Sequence, residues 1–151
     1  MKNVIITGTS SGLGFELVKK FNAENYNIIS LSRSPCLIKS NLVEHFNFDI
    51  TDSKSISELQ KLIQSKYKTI DILINNAGML INKPFVELSK EEFISVYDVN
   101  FFGVIELIRE ILPFLKSKSQ IINISSIGGI NGTSKFKGLS AYSSSKGALN
   151  I

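Results

Sequence analysis

Short apolar runs alternate with longer amphipathic stretches along the chain, and this alternation constrains the fold more than any other feature. The β-branched run at 2–7 predicts a buried strand, and the stretch at 12–23 carries apolar residues at helical spacing. Further strands are predicted at 27–31, 45–48, 71–75 and 120–125. Strands that alternate with helices through short connections build a parallel sheet with helices on both faces. The expected fold class is therefore α/β, a doubly wound three-layer α/β/α sandwich forming one domain over residues 1–151.

Three more helices are predicted, and possible capping residues mark the start of two of them. One begins at Ser53, where the segment Ser55–Glu58 resembles a capping box. A long one spans Ser89–Lys116 and opens with Ser-x-x-Glu. Pro113 is expected to end or kink that helix early, because proline has no backbone N–H. The last helix begins near Ser140, after a polar, glycine-rich loop.

Composition excludes several classes of protein. The net charge is +4, but the lysines and arginines are spread along the chain, so no nucleic-acid partner is expected. Cys36 is the only cysteine and His45 the only histidine, so we expect neither a disulfide nor a metal site. No apolar stretch approaches the roughly 18 residues of a membrane span, and no signal peptide is visible. No membrane partner is therefore expected, and a cytoplasmic location is the default.

The segment T-G-T-S-S-G-L-G follows the first strand and opens the first helix. Its glycines, Gly8, Gly12 and Gly14, would let the backbone approach a phosphate at a helix N-terminus, where unpaired N–H groups attract anions. The spacing is not the G-x-G-x-x-G of the commonest dinucleotide-binding loop. By itself the loop therefore fits a nucleotide site and a plain strand–helix turn equally well.

Four further motifs follow in a fixed order: N-N-A-G at 75–78, D-V-N-F-F-G at 98–103, I-N-I-S-S at 122–126 and Y-S-S-S-K at 142–146. Together with T-G-x-x-x-G-x-G, they make the whole chain resemble the short-chain dehydrogenase/reductase family. The resemblance implies a Rossmann-type fold and an NAD(P)(H)-dependent oxidoreductase. The substrate would be a small-molecule carbonyl or alcohol.

Tyr142 and Lys146 would share one helix face, and a cation there can lower the pKa of a phenol toward working pH. The resemblance implies that Tyr142 is the general acid/base, and that Lys146 lowers its pKa and binds the nicotinamide ribose. It also implies that Ser126, ahead of its neighbour Ser125, orients the substrate oxygen, and that Asn100 belongs to a proton relay. The alternatives are a surface Tyr–Lys pair, a strand-end serine bonded to loop backbone and an exposed helix asparagine.

Arg33 follows the second strand, where an enzyme that prefers NAD carries a carboxylate for the ribose 2′-hydroxyl. Arginine can instead pair with a 2′-phosphate, so NADP(H) is expected over NAD(H). Asp49 would accept a hydrogen bond from the adenine amino group; the alternative is an Asx turn or helix cap. The full set of expected cofactor-binding residues is Gly8, Ser10, Ser11, Gly12, Leu13, Gly14, Arg33, Asp49, Ile50, Asn76, Ala77, Gly78, Tyr142 and Lys146.

The length of 151 residues is short for this family, whose members have about 250 residues in one domain. The expectation is an N-terminal fragment without the last strands, and a homodimer or homotetramer when full length. The segment between Ser126 and Tyr142 is longer than the usual family spacing, and Thr133–Lys135 resembles an insertion that bears on the substrate pocket. The alternative function is a non-catalytic dinucleotide-binding or regulatory protein on the same fold.

Overall fold

The computed structural model describes residues 1–151 and contains one parallel five-stranded sheet. Its strands are β1 (Asn3–Thr7), β2 (Asn27–Ser32), β3 (Val43–Asn47), β4 (Ile70–Asn75) and β5 (Leu115–Asn123). They lie in the order β3-β2-β1-β4-β5, which is the doubly wound arrangement expected from the alternating pattern. The chain order reverses between β1 and β4, so a crevice opens at the carboxyl ends of the strands next to β1.

Helices cover both faces of the sheet. They are α1 (Gly12–Ala23), α2 (Ser53–Leu62), α3 (Lys90–Tyr97), α4 (Gly103–Ile111) and α5 (Ser140–Leu149). Side chains of β1 alternate between the two layers: Ile5 packs in a cluster with α2 and α4, while Val4 and Ile6 pack against α1. The fully buried strand β1 therefore reads as a continuous apolar run rather than as an alternating one.

The start of α2 corrects one prediction. Asp52 is its N-cap, and its carboxylate accepts hydrogen bonds from Lys54 N (3.1 Å) and Ser55 N (3.2 Å). Ser55 donates its hydroxyl to Asp52, so the predicted capping box of Ser55 and Glu58 is wrong. The Ser55 hydrogen bond, with the backbone N–H of Lys54, lowers the pKa of Asp52. An N-cap is the residue with an extended backbone just before the first turn, and Asp52 occupies that position, whereas Ser55 lies within the helix.

The long predicted helix is broken into three parts. Ser89 caps α3 in the expected capping box with Glu92. A π-helical turn, Asp98–Phe102, then joins α3 to α4. The helix ends at Ile111 rather than near Lys116, because Pro113 lies in a short 3₁₀ turn, Leu112–Phe114, and cannot continue the α-helical hydrogen bonds.

The last strand also differs from its prediction of 120–125. β5 begins at Leu115, opposite Ile70, but its regular pairing with β4 resumes only at Gln120, opposite Ile72. The four residues between them bulge out, and Ser119 fixes the bulge by donating its hydroxyl to Ile70 O (2.6 Å). The sequence pattern identified the regular part of β5, missed the part before the bulge and extended two residues beyond the end of the strand at Asn123.

Candidate functional site

The glycine loop joins β1 to α1 at the crevice. Gly8 has φ +71° and a Cβ there would lie 2.8 Å from Ala77 Cα; a Cβ on Gly14 would lie only 2.1 Å from Gly8 O. Gly12 has φ +57° and open space around it. No side chain caps the first turn of α1, whose N-cap is Ser11. Gly8 and Gly14 thus allow close packing, and Gly12 allows a left-handed turn that leaves the helix amides available to an anion.

Thr7 and Asn76 fasten this loop to the N-N-A-G turn after β4. Thr7 Oγ1 accepts hydrogen bonds from the backbone N–H groups of Asn76 and Ala77, both at 2.9 Å. Asn76 Nδ2 donates in return to Thr7 O (3.0 Å) and Gly8 O (3.2 Å). Thr7 was not among the predicted site residues; the threonine that opens T-G-x-x-x-G-x-G was the available signal.

A cleft of about 390 Å³ lies against these segments. Nine of the expected cofactor-binding residues line it: Gly8, Ser10, Ser11, Arg33, Asp49, Ile50, Asn76, Ala77 and Gly78. The lining residues that sequence reasoning missed are Thr7, Leu31, Ser32, Ser34, Phe48, Met79 and Val99. Gly12, Leu13 and Gly14 lie in the first turn of α1 and do not line the cleft, and neither do Tyr142 and Lys146. The predicted residues therefore fall into a cleft group and a group on α5.

Hydroxyl groups connect the glycine loop with the end of β2, where Arg33 lies. Thr9 Oγ1 lies 2.7 Å from Ser30 Oγ and 2.9 Å from Ser32 Oγ, and Ser32 donates to Ser34 O (2.7 Å). Thr9 and Ser30 are fully buried. Arg33 is exposed at the cleft and forms no ion pair within the chain. Its guanidinium is thus available to a ligand at this end of the cleft.

Asp49 forms the Asx turn that was the alternative interpretation of this residue. Its Oδ1 accepts from Thr51 N (2.9 Å) and from the Thr51 hydroxyl (2.8 Å). Its second carboxylate oxygen has no hydrogen-bond partner within the chain. The turn therefore fixes the side chain at the cleft wall and leaves one oxygen for a donor such as an amino group.

Asn100 lies in the π-helical turn and is fully buried, so the alternative of an exposed helix asparagine is wrong. Its Oδ1 accepts from Met79 N (2.7 Å), and its Nδ2 donates to Met79 O (2.9 Å) and Ser145 Oγ (2.9 Å). Ser145 in turn donates to Tyr142 O (2.8 Å). Asn100 thus joins the turn after β4 to α5, and Ser145 is a buried link that sequence reasoning missed.

Lys146 is 3% exposed, so the alternative of a surface Tyr–Lys pair is also wrong. Its Nζ donates to Ile124 O (2.7 Å) and lies 5.9 Å from the centre of the Tyr142 ring. Burial lowers the pKa of Lys146. A Cβ placed on Gly78 would lie 3.8 Å from Lys146 Nζ and 3.5 Å from Asn100 Oδ1. Lys146 and Asn100 therefore meet beside the N-N-A-G turn, and a glycine there leaves space next to both.

The two serines at the end of I-N-I-S-S have different surroundings. Ser125 donates its hydroxyl to the backbone oxygen of Lys146 (3.3 Å). Ser126 instead caps a 3₁₀ turn, Ile127–Gly129, by accepting from Gly128 N (3.2 Å). The structure contains no hydrogen bond between Ser126 and Tyr142. Ser126 keeps its hydroxyl hydrogen free for a ligand, whereas that of Ser125 is already used.

These features together fit a dinucleotide. The uncapped start of α1 suits a pyrophosphate, Arg33 suits the substituents of the adenosine ribose, and the space beside Gly78 and Lys146 suits the nicotinamide ribose. A side chain larger than hydrogen at Gly8 or Gly14 would clash with Ala77 or with Gly8 O, so the loop could not keep this shape. None of the helices combines the length and the apolarity needed to cross a lipid bilayer.

Comparison with known proteins shows which family this chain belongs to. The family model described as short chain dehydrogenase matches residues 2–151. The chain is 36% identical to 3-ketodihydrosphingosine reductase of Bacteroides thetaiotaomicron over 97% of its own length, and 32% identical to fatty acyl-CoA reductase of Acinetobacter baylyi over 99%. It covers 54% of each of these two relatives, so it spans about half their length.

A solved structure has the same arrangement of elements. The short-chain dehydrogenase of Leptospira borgpetersenii with bound NAD+ superposes with a TM-score of 0.89 at 31% identity. The match covers 98% of this chain and 61% of that one. The five-stranded sheet, the glycine loop, the cleft and the matched family model all agree: this chain belongs to the short-chain dehydrogenase family of oxidoreductases.

Proposed function

We propose that the protein containing this chain interconverts a small-molecule carbonyl and alcohol with NADP(H), using Asn100, Ser126, Tyr142 and Lys146. One observation carries the proposal: Lys146, buried without a carboxylate partner, lies beside Tyr142, Asn100 and the N-N-A-G turn at the cleft. A buried ammonium with no counter-ion favours a neighbouring anion, and tyrosinate is the anion that this helix can supply. The bond from Lys146 Nζ to Ile124 O satisfies one donor of the ammonium group and leaves its charge unbalanced.

The residues of this chain divide the work as follows. Bound cofactor supplies or accepts a hydride. Tyr142 gives its phenolic proton to the substrate oxygen, or takes it back in the reverse direction, and Lys146 stabilises the tyrosinate. Ser126 donates its free hydroxyl hydrogen to the same oxygen and stabilises the charge that develops there. Asn100 holds Lys146 and Tyr142 in register through Ser145 and the Met79 backbone.

The preference for NADP(H) rests on Arg33. It lies exposed at the cleft, free of ion pairs, and the end of β2 has no carboxylate that would repel a 2′-phosphate. The related Leptospira protein binds NAD+, so the family fold itself does not decide the preference. Arg33→Ala is expected to lower kcat/KM with NADPH by tenfold or more and to change that with NADH by less than threefold. Lys39→Ala, which removes an exposed cation outside the cleft, is the matched control; equal losses with both cofactors would contradict the assignment.

Tyr142→Phe tests the chemistry. It removes one hydroxyl, so turnover should fall by a factor of at least about 10³ while the dissociation constant of NADPH, measured by fluorescence, stays within twofold. Tyr26→Phe is the control, because Tyr26 packs edge-on against Phe21 on the α1 side of the sheet. The substrate panel should include ketones, aldehydes, a long-chain 3-keto amine and a fatty acyl thioester, following the names of the two relatives.

Two outcomes of that panel would contradict the proposal. Retained turnover in Tyr142→Phe would refute the proton-transfer role. Binding of NADPH by the wild type with no oxidation on any substrate would instead favour a non-catalytic dinucleotide-binding protein.

A cytoplasmic location remains a prediction from the sequence.

The protein is also proposed to form a homodimer or homotetramer through the α3–α4 helix and α5. Ile94, Phe102 and Ile105 are apolar and expose 47%, 55% and 43% of their surface along that helix. Isolated exposed apolar side chains are ordinary, but three of them along α3, the π-helical turn and α4 are typical of an interface. Sedimentation analysis of wild type and Ile105→Glu checks it: a mass that is monomeric in both would refute the assembly.

A further inference from the structure

The loop between Ser126 and α5 carries two side chains that fold back on it, Thr133 and Lys135. Thr133 Oγ1 lies 2.8 Å from both Ile127 O and Ile130 O. Lys135 Nζ donates to Gly128 O (2.9 Å), Ile130 O (2.5 Å) and Thr133 Oγ1 (3.1 Å). These two residues open and close the T-S-K segment. This segment therefore acts as a clamp on the residues that follow Ser126.

The clamp acts on the same short turn that holds the Ser126 hydroxyl. Gly128 N donates to Ser126 Oγ, and this N–H belongs to the peptide group whose oxygen is Ile127 O, the acceptor for Thr133. A hydroxyl that accepts from a polarised amide becomes a better donor through its own hydrogen, because linked hydrogen bonds polarise one another. The Ser126 hydrogen is the one left free for a substrate oxygen.

Other bonds also hold this turn: Gly129 N donates to Ser126 O (3.0 Å), Ile130 N to Ile127 O (3.1 Å) and Asn150 Nδ2 to Gly129 O (3.1 Å). The side chains of Thr133 and Lys135 add to them in a segment rich in glycine. Two of its three residues, Gly128 and Gly129, are glycines, and Gly132 follows with φ +78°. Glycine loses more backbone freedom on ordering than any other residue, so such a loop needs side-chain bonds to hold one conformation. Lys135 supplies three of them from a single ammonium group.

We propose that Thr133 and Lys135 are positioning residues that orient and polarise the Ser126 hydroxyl through the Ile127–Gly129 turn. The proposal deepens the proposed function and rests on it for the role of Ser126. Neither residue touches the substrate oxygen itself. Both act by holding the amide of Gly128 on Ser126 Oγ.

The test compares Thr133→Val and Lys135→Met, singly and together, in the whole protein. Both changes keep side-chain size and remove the bonds to the turn. Lys135→Arg should rescue, since it retains a cation with several donors. Lys137→Met is the matched control, because Lys137 is exposed and forms no side-chain hydrogen bond in the structure.

The double variant is expected to lower kcat about tenfold, which corresponds to the loss of one or two hydrogen bonds, with KM for NADPH unchanged. In a Ser126→Ala background the same pair of changes should have no further effect on kcat, because the group they position is gone. A tenfold loss that persists in Ser126→Ala would overturn the proposal, as would an equal loss in Lys137→Met.

A second measurement does not depend on turnover. Amide hydrogen exchange at Gly128, Gly129 and Ile130 should become about tenfold faster in the double variant and return to the wild-type rate in Lys135→Arg. Unchanged exchange would overturn the clamp, whatever the activity. If the wild type turned over no substrate, the proposed function would fail, and faster exchange would still support the clamp on the turn.

Discussion

Gly14 offers the sharpest test of how the glycine loop is built. A Cβ at position 14 would lie 2.1 Å from Gly8 O, 2.6 Å from Asn76 Nδ2 and 2.8 Å from Gly8 C. Non-bonded carbon and oxygen atoms need more than 3 Å, so α1 and the loop must separate by about 1 Å. Forcing extra volume into a packed site costs about 1–3 kcal/mol. The movement also breaks the bond from Asn76 Nδ2 to Gly8 O, which is worth about 1 kcal/mol.

Gly14→Ala is therefore expected to lower the free energy of unfolding by about 2–4 kcal/mol. The matching fall in Tm is roughly 4–16 °C for a chain of this size. Gly12→Ala is the control from the same loop. Position 12 has open space, so the cost is only that of a left-handed alanine, about 1 kcal/mol.

Urea unfolding and the dissociation constant of NADPH measure the two variants. Gly14→Ala should raise the dissociation constant of NADPH at least tenfold, since the amides of the first turn of α1 move with the loop. Gly12→Ala should be the milder change in both assays. A Gly14→Ala protein as stable as Gly12→Ala, with unchanged cofactor affinity, would refute the close-packing argument.

Three further changes are expected to have defined effects. Ser145→Ala should cost about 1–3 kcal/mol of stability in urea unfolding, because it leaves one N–H of the buried Asn100 amide without a partner; a loss under 0.5 kcal/mol would contradict this. Lys146→Met should change the pH dependence of stability. Burial lowers the pKa of Lys146 below its ordinary 10.5, so between the two pKa values the unfolded chain binds more protons at this residue than the folded one. As pH rises from the lowered pKa to 10.5, the free energy of unfolding of the wild type should therefore increase relative to that of the variant. A stability difference that is flat from pH 7 to about 10.5 would contradict the shift. Ser89→Ala should lower the free energy of unfolding by about 1 kcal/mol, because it removes the hydroxyl oxygen that accepts a hydrogen bond from Glu92 N. Thermal unfolding measures this loss, and an unchanged Tm would refute the capping contribution.

The order of strands and helices was predictable from the sequence because buried parallel strands and amphipathic helices have different periods. The π-helical turn was not predictable in this way. It adds one residue to a helix whose apolar residues otherwise keep helical spacing. Helical spacing already allows apolar residues three or four positions apart, so one added residue does not show in the pattern. Asn100, a poor helix former inside that stretch, was the only local sign that the helix is irregular there.

Contacts between distant segments were the least predictable part of the site. Ser145 lies one residue before Lys146 and resembles any other serine of Y-S-S-S-K until Asn100 is placed 2.9 Å from it. The same holds for Thr133, whose partners are fixed only by the path of a glycine-rich loop. Small hydroxyl side chains carry no hydrophobic signal, and their roles depend on which backbone group folds next to them.

The hydrogen bonds of the site form one continuous path from the glycine loop to α5, the helix of Tyr142 and Lys146. The Asn76 side chain donates to Gly8 O, and the backbone N–H groups of Asn76 and Ala77 donate to Thr7 Oγ1. The Met79 N–H donates to Asn100 Oδ1. Asn100 donates to Ser145, which donates to Tyr142 O. The turn at 76–79 thus holds both ends of the path. Its backbone N–H groups and the Asn76 side chain bond Thr7 and Gly8, and the Met79 backbone bonds the Asn100 side chain. Because the glycine loop and the helix of Tyr142 and Lys146 are both linked to this one turn by hydrogen bonds, the turn sets the distance between them. We therefore expect that a change in the length of the loop at 127–138 would leave the distance between the glycine loop and Tyr142 unchanged.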